Sequence, residues 1–214
     1  MLKDARNYNN WLADQVFAAQ PADAKRVLDL GAGRGTFSEL LRARGLKVEC
    51  VEPDPDNQQE LRRLGFSVHP SLDDLEPESV DYTFTLNVLE HVRDDQALAA
   101  AAFSRLRTGG RFFVFVPAFR LLWSRLDDHV QHERRYRCSP LVEMLKRVGF
   151  AIERARYADS LGFFAALAAR LTGSQMSRTN VALYDRVLFP VSRFLDPVLG
   201  AFVGKNVAVV CRRP

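Results

Sequence analysis

Residues 27–41 read VLDLGAGRGTFSELL: a short apolar run, glycines at 31, 33 and 35, then apolar residues at helical spacing. A strand entering a helix through such a loop must either turn tightly or let a ligand approach the backbone, with the helix N-terminus facing it. A phosphate-cradling P-loop needs Lys and then Ser or Thr after its last glycine. Here Gly35 is followed by Thr36 and Phe37, so that reading fails. A dinucleotide fingerprint spaces its glycines GxGxxG, whereas this loop is GxGxG, and Asp29 at the strand exit would face a pyrophosphate at close range. The same carboxylate suits a ligand carrying an ammonium group. The next apolar run ends at Glu52, where an acidic side chain can accept both hydroxyls of a ribose. A tight turn without any ligand is the alternative reading of the glycines taken alone.

The remaining chain keeps the same beat. Apolar residues at helical spacing predict helices over 8–19, 36–44, 56–64, 94–106 and 139–148, the last opened by Ser139 and Pro140. Short apolar runs predict strands over 27–30, 47–51, 66–68, 80–86, 111–116, 150–157 and 206–211. Strands alternating with helices predict an α/β, Rossmann-like, seven-stranded and mostly parallel sheet with helices on both faces. An antiparallel last strand pairing with 150–157 completes it economically. The 214 residues fit a single domain, 1–214, elaborated by an N-terminal helix (8–19), an irregular segment (117–140) and an apolar helical insertion (160–204).

Charge and cysteine content exclude several partners. Thirty Lys and Arg against 26 Asp and Glu leave a net +4, spread along the chain, so nucleic acid is not expected. Cys50, Cys138 and Cys211 are scattered and odd in number, which argues against a disulfide framework and zinc pairs and fits a reducing cytoplasm. The N-terminal residues lack the apolar core of a signal peptide. The late apolar stretches are interrupted by Arg170, Asp185, Arg186, Arg193 and Asp196, so neither reads as a membrane span. They read as core helices, a cover over an apolar substrate, or a peripheral membrane contact. The oligomeric state is not legible.

With these pieces in place, VLDLGAGRGTF resembles the first signature of class I S-adenosylmethionine-dependent methyltransferases, of the small-molecule, ubiquinone-methyltransferase-like branch. Val51–Asp54 (VEPD) is similar to that family's ribose-and-adenine strand, 79–92 (SVDYTFTLNVLEHV) to its fourth strand, and 106–117 (LRTGGRFFVFVP) to its fifth. The resemblance implies S-adenosyl-L-methionine as cofactor. Asp29, Gly31, Ala32 and Gly33 would shape the methionine side, Glu52 would bind the ribose, and Pro53 and Asp54 would flank the adenine. Asn87 and Val88 would lie near the sulfonium. The family often carries an acid beside the adenine amine after its third strand; here Ser71, Leu72 or Asp73 must serve. Tyr8 and Trp11 could close the pocket, or simply pack their helix.

Methyl transfer from a sulfonium needs alignment and desolvation more than covalent help, although a hydroxyl acceptor gains from a general base. That base and the acceptor contacts are expected in 118–138, AFRLLWSRLDDHVQHERRYRC, which is similar to an LWSxxDxxxxHxRRY segment of one branch of small methyltransferases. His132 is the preferred base, with Asp127 beside it, and His91 competes; a structural His132–Asp127 pair is the other possibility. Trp123, Arg134, Arg135 and Tyr136 are candidates for substrate contact. The fourth strand ends Asn87-Val88-Leu89-Glu90, unlike the Asn/Asp-Pro-Pro-aromatic motif of base methylation, and no Pro-Cys nucleophile occurs. Clustered Asp or Asn ligands would be needed around the fourth and fifth strands, and Asp94-Asp95 is poorly placed for that and reads as a helix N-terminus, so no metal is expected. The expectation is O-methylation of a small molecule. A lipid-linked or quinone-like acceptor is the alternative, as is a noncatalytic cofactor-binding partner of another methyltransferase.

Overall fold

The computed structural model describes residues 5–172 and 178–214. Seven strands form one sheet: β1 (Val27–Leu30), β2 (Val48–Val51), β3 (Ser67–His69), β4 (Val80–Leu86), β5 (Leu106–Pro117), β6 (Ala151–Ala158) and β7 (Asn206–Arg212). Their order is β3-β2-β1-β4-β5-β7-β6. β3, β2, β1, β4 and β5 run parallel, and β7 lies antiparallel between β5 and β6. The last strand therefore pairs with β5 as well as with the expected 150–157 region. All of β1 and nearly all of β4 are buried, the signature of parallel strands covered on both faces.

The period of two along β5 divides the core. Phe113 and Phe115 face α1 (Arg6–Ala19), α2 (Thr36–Arg42) and α3 (Pro55–Arg63) through Trp11, Leu12, Val16, Leu41 and Leu61. Phe112, Val114 and Val116 face α4 (Asp95–Arg105) and α6 (Cys138–Val148) through Ala99, Ala102, Leu141 and Leu145. A short helix, α5 (Arg125–His129), interrupts the segment that follows β5. Sequence order reverses direction between β1 and β4, which opens a crevice at the carboxyl ends of these strands.

Some boundaries differ from expectation for local reasons. β5 starts before Gly109-Gly110 instead of after it: the pair forms an irregularity in register between Val80 and Tyr82, with Gly109 at φ +81°. α6 begins at Cys138, so Ser139 is inside the helix and not its cap. The later part of the expected apolar helical insertion is α8 (Arg178–Leu183), a π-turn over Tyr184–Leu188, and α9 (Phe189–Leu199). Pro190 has no N–H to offer the preceding turn, which accounts for the wider winding there. Residues 173–177 of the apolar insertion lie outside the described residues. No helix among the described residues is long and apolar enough to cross a membrane.

Buried aspartates dock these late helices. Asp185 accepts the backbone N–H groups of Asn7 (2.9 Å) and Tyr8 (2.8 Å), capping α1 from the far end of the chain. Asp196 accepts Asp159 N (2.8 Å), Ser160 N (2.9 Å) and Ser160 Oγ (2.6 Å) at the start of α7 (Ser160–Thr172). Losing these charge-assisted bonds leaves two buried amides unpaired. Asp196→Ala should lower stability by roughly 2–4 kcal/mol, read from urea unfolding; a change under about 0.5 kcal/mol would contradict this docking role.

Candidate active site

The crevice is built first from the glycine loop. Gly31 N and Ala32 N donate to Val51 O (2.8 and 3.2 Å), which fastens the loop to the end of β2. Gly31 sits at φ +81°, and a Cβ there would come within 2.4 Å of Val88 Cγ2, so only glycine lets the turn after β4 close over β1. A Cβ on Gly33 would meet nothing within 4 Å. Beneath the loop Asp29 is 3% exposed and accepts Ser38 Oγ at 2.6 Å. Burial raises its pKa to about 7, against the Ser38 bond and with some help from the Glu52 charge.

Glu52, also buried, accepts Gly33 N through Oε2 (2.7 Å) and Asp54 N through Oε1 (3.0 Å). Asp54 caps α3 by accepting Asn57 N (2.9 Å), and Pro53 beside it is exposed. Ser71 caps its own 3-10 turn, and Leu72 is buried in the core. Asn87 leaves β4 in a left-handed turn (φ 55°) with its N–H on Phe115 O (2.8 Å). Tyr8 accepts Asn206 Nδ2 (3.0 Å) at the carboxyl end of β5, and its ring lies 5.1 Å from that of Phe189. Trp11 is packed between Phe115 and Phe189. Both rings thus pack α1 against Phe189, and that of Trp11 against Phe115 as well.

A second constellation stands after β4 and β5. Asp127 is 1% exposed and receives Arg135 Nε (2.7 Å) and Nη2 (3.0 Å), Ser124 N (2.8 Å) and Oγ (2.9 Å), and His132 Nδ1 (2.7 Å). Burial opposes the charge, but the Arg135 guanidinium outweighs it and holds the carboxyl at about 2. An ionised carboxylate can only accept, so Nδ1 of His132 carries the proton and Nε2 presents a lone pair. That lone pair faces Glu90, whose Oε1 is 3.9 Å away, and the ring of His91, 4.6 Å between centroids and edge-on. Glu90 is 0% exposed and neither of its oxygens bonds another residue. Burial raises its pKa to about 8, while desolvation and the neighbouring His132 lower that of the exposed His91.

The other substrate candidates are engaged structurally. Arg135 also donates to Ala118 O (3.1 Å), and Arg134 reaches Asp95 (2.9 Å) and Arg93 O (2.7 Å). Tyr136 is buried with its hydroxyl on Asp95 (2.7 Å), and half-buried Trp123 donates to Asp128 (2.8 Å). His91 and His132, weighed from sequence as rivals, are neighbours. The residue missed is Glu90; its adjacency to His91 just beyond a crevice strand was the available signal.

Comparison with known proteins agrees with this architecture. The profile of a methyltransferase-domain family matches residues 5–155. Ubiquinone biosynthesis O-methyltransferases of Pseudomonas fluorescens SBW25 and Methylocella silvestris are 32% identical over 114 residues and 30% over 106. These matches take in 49% and 45% of this chain and 47% and 41% of those proteins, so the chain spans less than half of their length. Among solved structures, the methyltransferase complexed with the Haloferax volcanii Trm112 methyltransferase activator gives a TM-score of 0.69 at 17% identity, covering 98% of this chain and 91% of that one. A SAM-dependent methyltransferase from Archaeoglobus fulgidus gives 0.64 at 19% identity, covering 95% and 94%. With the family profile spanning most of its length and the glycine loop, Glu52 and strand order all in place, the chain belongs to the class I S-adenosyl-L-methionine-dependent methyltransferases.

Proposed function

We propose that this protein, acting as one domain, transfers the methyl group of S-adenosyl-L-methionine to a hydroxyl oxygen of a small-molecule acceptor. The observation that carries the reading is the His132 lone pair, fixed by Asp127 just beyond the β4 turn that closes over the glycine loop. The crevice fits the cofactor. Each Glu52 oxygen accepts one loop amide and keeps a second acceptor position, one for each ribose hydroxyl. Asp29 supplies a carboxylate for the ammonium group, and the open space beside Gly33 leaves room for the methionine chain.

Bound cofactor supplies an electrophilic methyl on a sulfonium. Asn87 and Val88 shape the methyl end from the β4 turn, and Gly31 permits their close approach. His132 activates the acceptor oxygen through Nε2. Asp127 holds the tautomer and Arg135 holds Asp127, so the ring cannot turn away. Trp123 lies edge-on to His132, 6.5 Å between ring centroids, and walls this side of the site.

The class of acceptor is favoured by another surface. Leu183 of α8, Val187 of the π-turn, and Phe194 and Val198 of α9 are exposed apolar residues at helical spacing, with Phe194 83% and Val198 70% exposed. Such a surface suits an acceptor with a lipid-like or quinone-like tail, or peripheral contact with the membrane that holds one. The named activity of the ubiquinone-biosynthesis relatives is in keeping with this class.

Titration calorimetry tests the cofactor side. Glu52→Ala should weaken S-adenosylmethionine binding about 10–100-fold, and unchanged affinity would remove Glu52 from the ribose. His132→Ala should abolish turnover of a quinol-type acceptor while leaving cofactor affinity within about threefold; normal turnover would refute the assignment. A folded chain that retains the Asp29 proton up to about pH 7, when the unfolded chain has lost it, becomes less stable as pH rises through that window. Asp29→Asn removes the buried charge, so its stabilisation of the cofactor-free protein should be larger at pH 8 than at pH 5 in thermal unfolding. Equal shifts at both pH values would contradict it.

A further inference from the structure

Glu90 is the unexplained group of this site. A carboxylate withdrawn completely from water, with no hydrogen bond from any other residue, is costly unless a cation or a proton compensates it. It does not stand alone. One ligand atom each from Glu90, His91 and His132 lie within 4.8 Å of one another. Two nitrogens and one carboxylate oxygen are the donor set that zinc and iron(II) sites use, with remaining coordination positions open.

The supporting contacts have the form such sites require. His132 donates its Nδ1 proton to Asp127, a carboxylate–histidine pair that leaves Nε2 free and the ring fixed. The His91 ring is held by a bond to the backbone of Val130. The main chain locks the two segments together through Glu133 N and Glu90 O at 2.7 Å. Tetrahedral ligand atoms about 2.1 Å from an ion stand about 3.4 Å apart, so the present spacing needs modest closure. Rotation of the exposed His91 side chain, with loss of its bond to Val130, supplies part of it.

We propose that Glu90, His91 and His132 form a binding site for a divalent transition-metal ion, with Asp127 as the carboxylate orienting His132. The inference rests on the reading of this cluster as the acceptor side and refines it: the His132 lone pair then acts through the ion. The expectation of no metal rested on Asp and Asn ligands around the fourth and fifth strands; this set is instead split between the β4 turn and the segment after β5. An acceptor hydroxyl coordinated at an open position releases its proton to water, and its oxygen forms the new O–C bond as the C–S bond of the cofactor breaks. Two imidazole nitrogens among the donors suit a transition-metal ion, whereas magnesium takes a shell of oxygens.

The test is a cobalt(II) titration of the metal-stripped full-length protein, followed by visible absorption, with zinc(II) competition and metal content by mass spectrometry. One equivalent should bind with the intense visible bands of a low-coordinate site. His91→Ala, at the exposed rim, should weaken binding at least tenfold without loss of fold, and Asp127→Asn about 10–100-fold. Glu90→Gln should do the same while S-adenosylmethionine affinity is retained. No stoichiometric binding, or binding indifferent to both His91→Ala and Glu90→Gln, would overturn the proposal. Full turnover after chelation would overturn it too, while leaving His132 as a metal-free base and the methyl-transfer reading intact. Absent cofactor binding would instead sink that reading.

Discussion

The Asp127 carboxylate is the charge around which the segment after β5 is assembled. Arg135 grips it with two nitrogens, Ser124 with backbone and hydroxyl, and His132 with Nδ1. Removing a carboxylate and a guanidinium from water costs several kcal/mol, so the pair is poor evidence for stability. Its consequence is position. Arg135 reaches on to Ala118 O, and the segment's two ends meet again where Ala118 bridges Tyr136. An irregular loop thereby acquires the rigidity of the end of β5, an interior strand to which it is sewn, and the His132 ring inherits it.

The opposite wall is rigid for a different reason. Parallel strands β1 and β4 end side by side where the strand order reverses, and close packing of Val88 against Gly31 fixes the gap between them. One backbone turn therefore has two jobs. Its first residues, Asn87 and Val88, border the glycine loop, and the next, Glu90 and His91, face His132. In the proposed reaction, cofactor side and acceptor side are joined through five consecutive chain positions, Asn87 to His91, which is why small displacements of this turn would be felt on both.

Local chemistry made most of the sheet legible from sequence. Val27–Leu30 is apolar but for Asp29, Val80–Leu86 places Val80, Tyr82, Phe84 and Leu86 at strand period, and glycines mark the ends of neighbouring helices. Glu52 and Asp29 were legible because the loop fixes their offset from the glycines. Contacts between distant positions were not. Nothing near Arg6 announces that Asp185 caps α1, and nothing near Arg135 shows that its guanidinium braces Asp127 instead of waiting for an anion. His91 and His132 looked like competitors since their convergence depends on how the segment after β5 folds back over β4. Charge pairing across such distances has no period to read.

In the proposed reaction the cofactor's methyl lies at the β4 turn, between the glycine loop and the Glu90–His91–His132 cluster. This placement is tested most directly by NMR of the protein saturated with S-adenosylmethionine labelled with carbon-13 in the methyl group. A methyl held at this turn gives nuclear Overhauser contacts to the Val88 methyls and shifts the His132 imidazole nitrogens on binding. A bound methyl with contacts elsewhere and an unmoved His132 would contradict the placement.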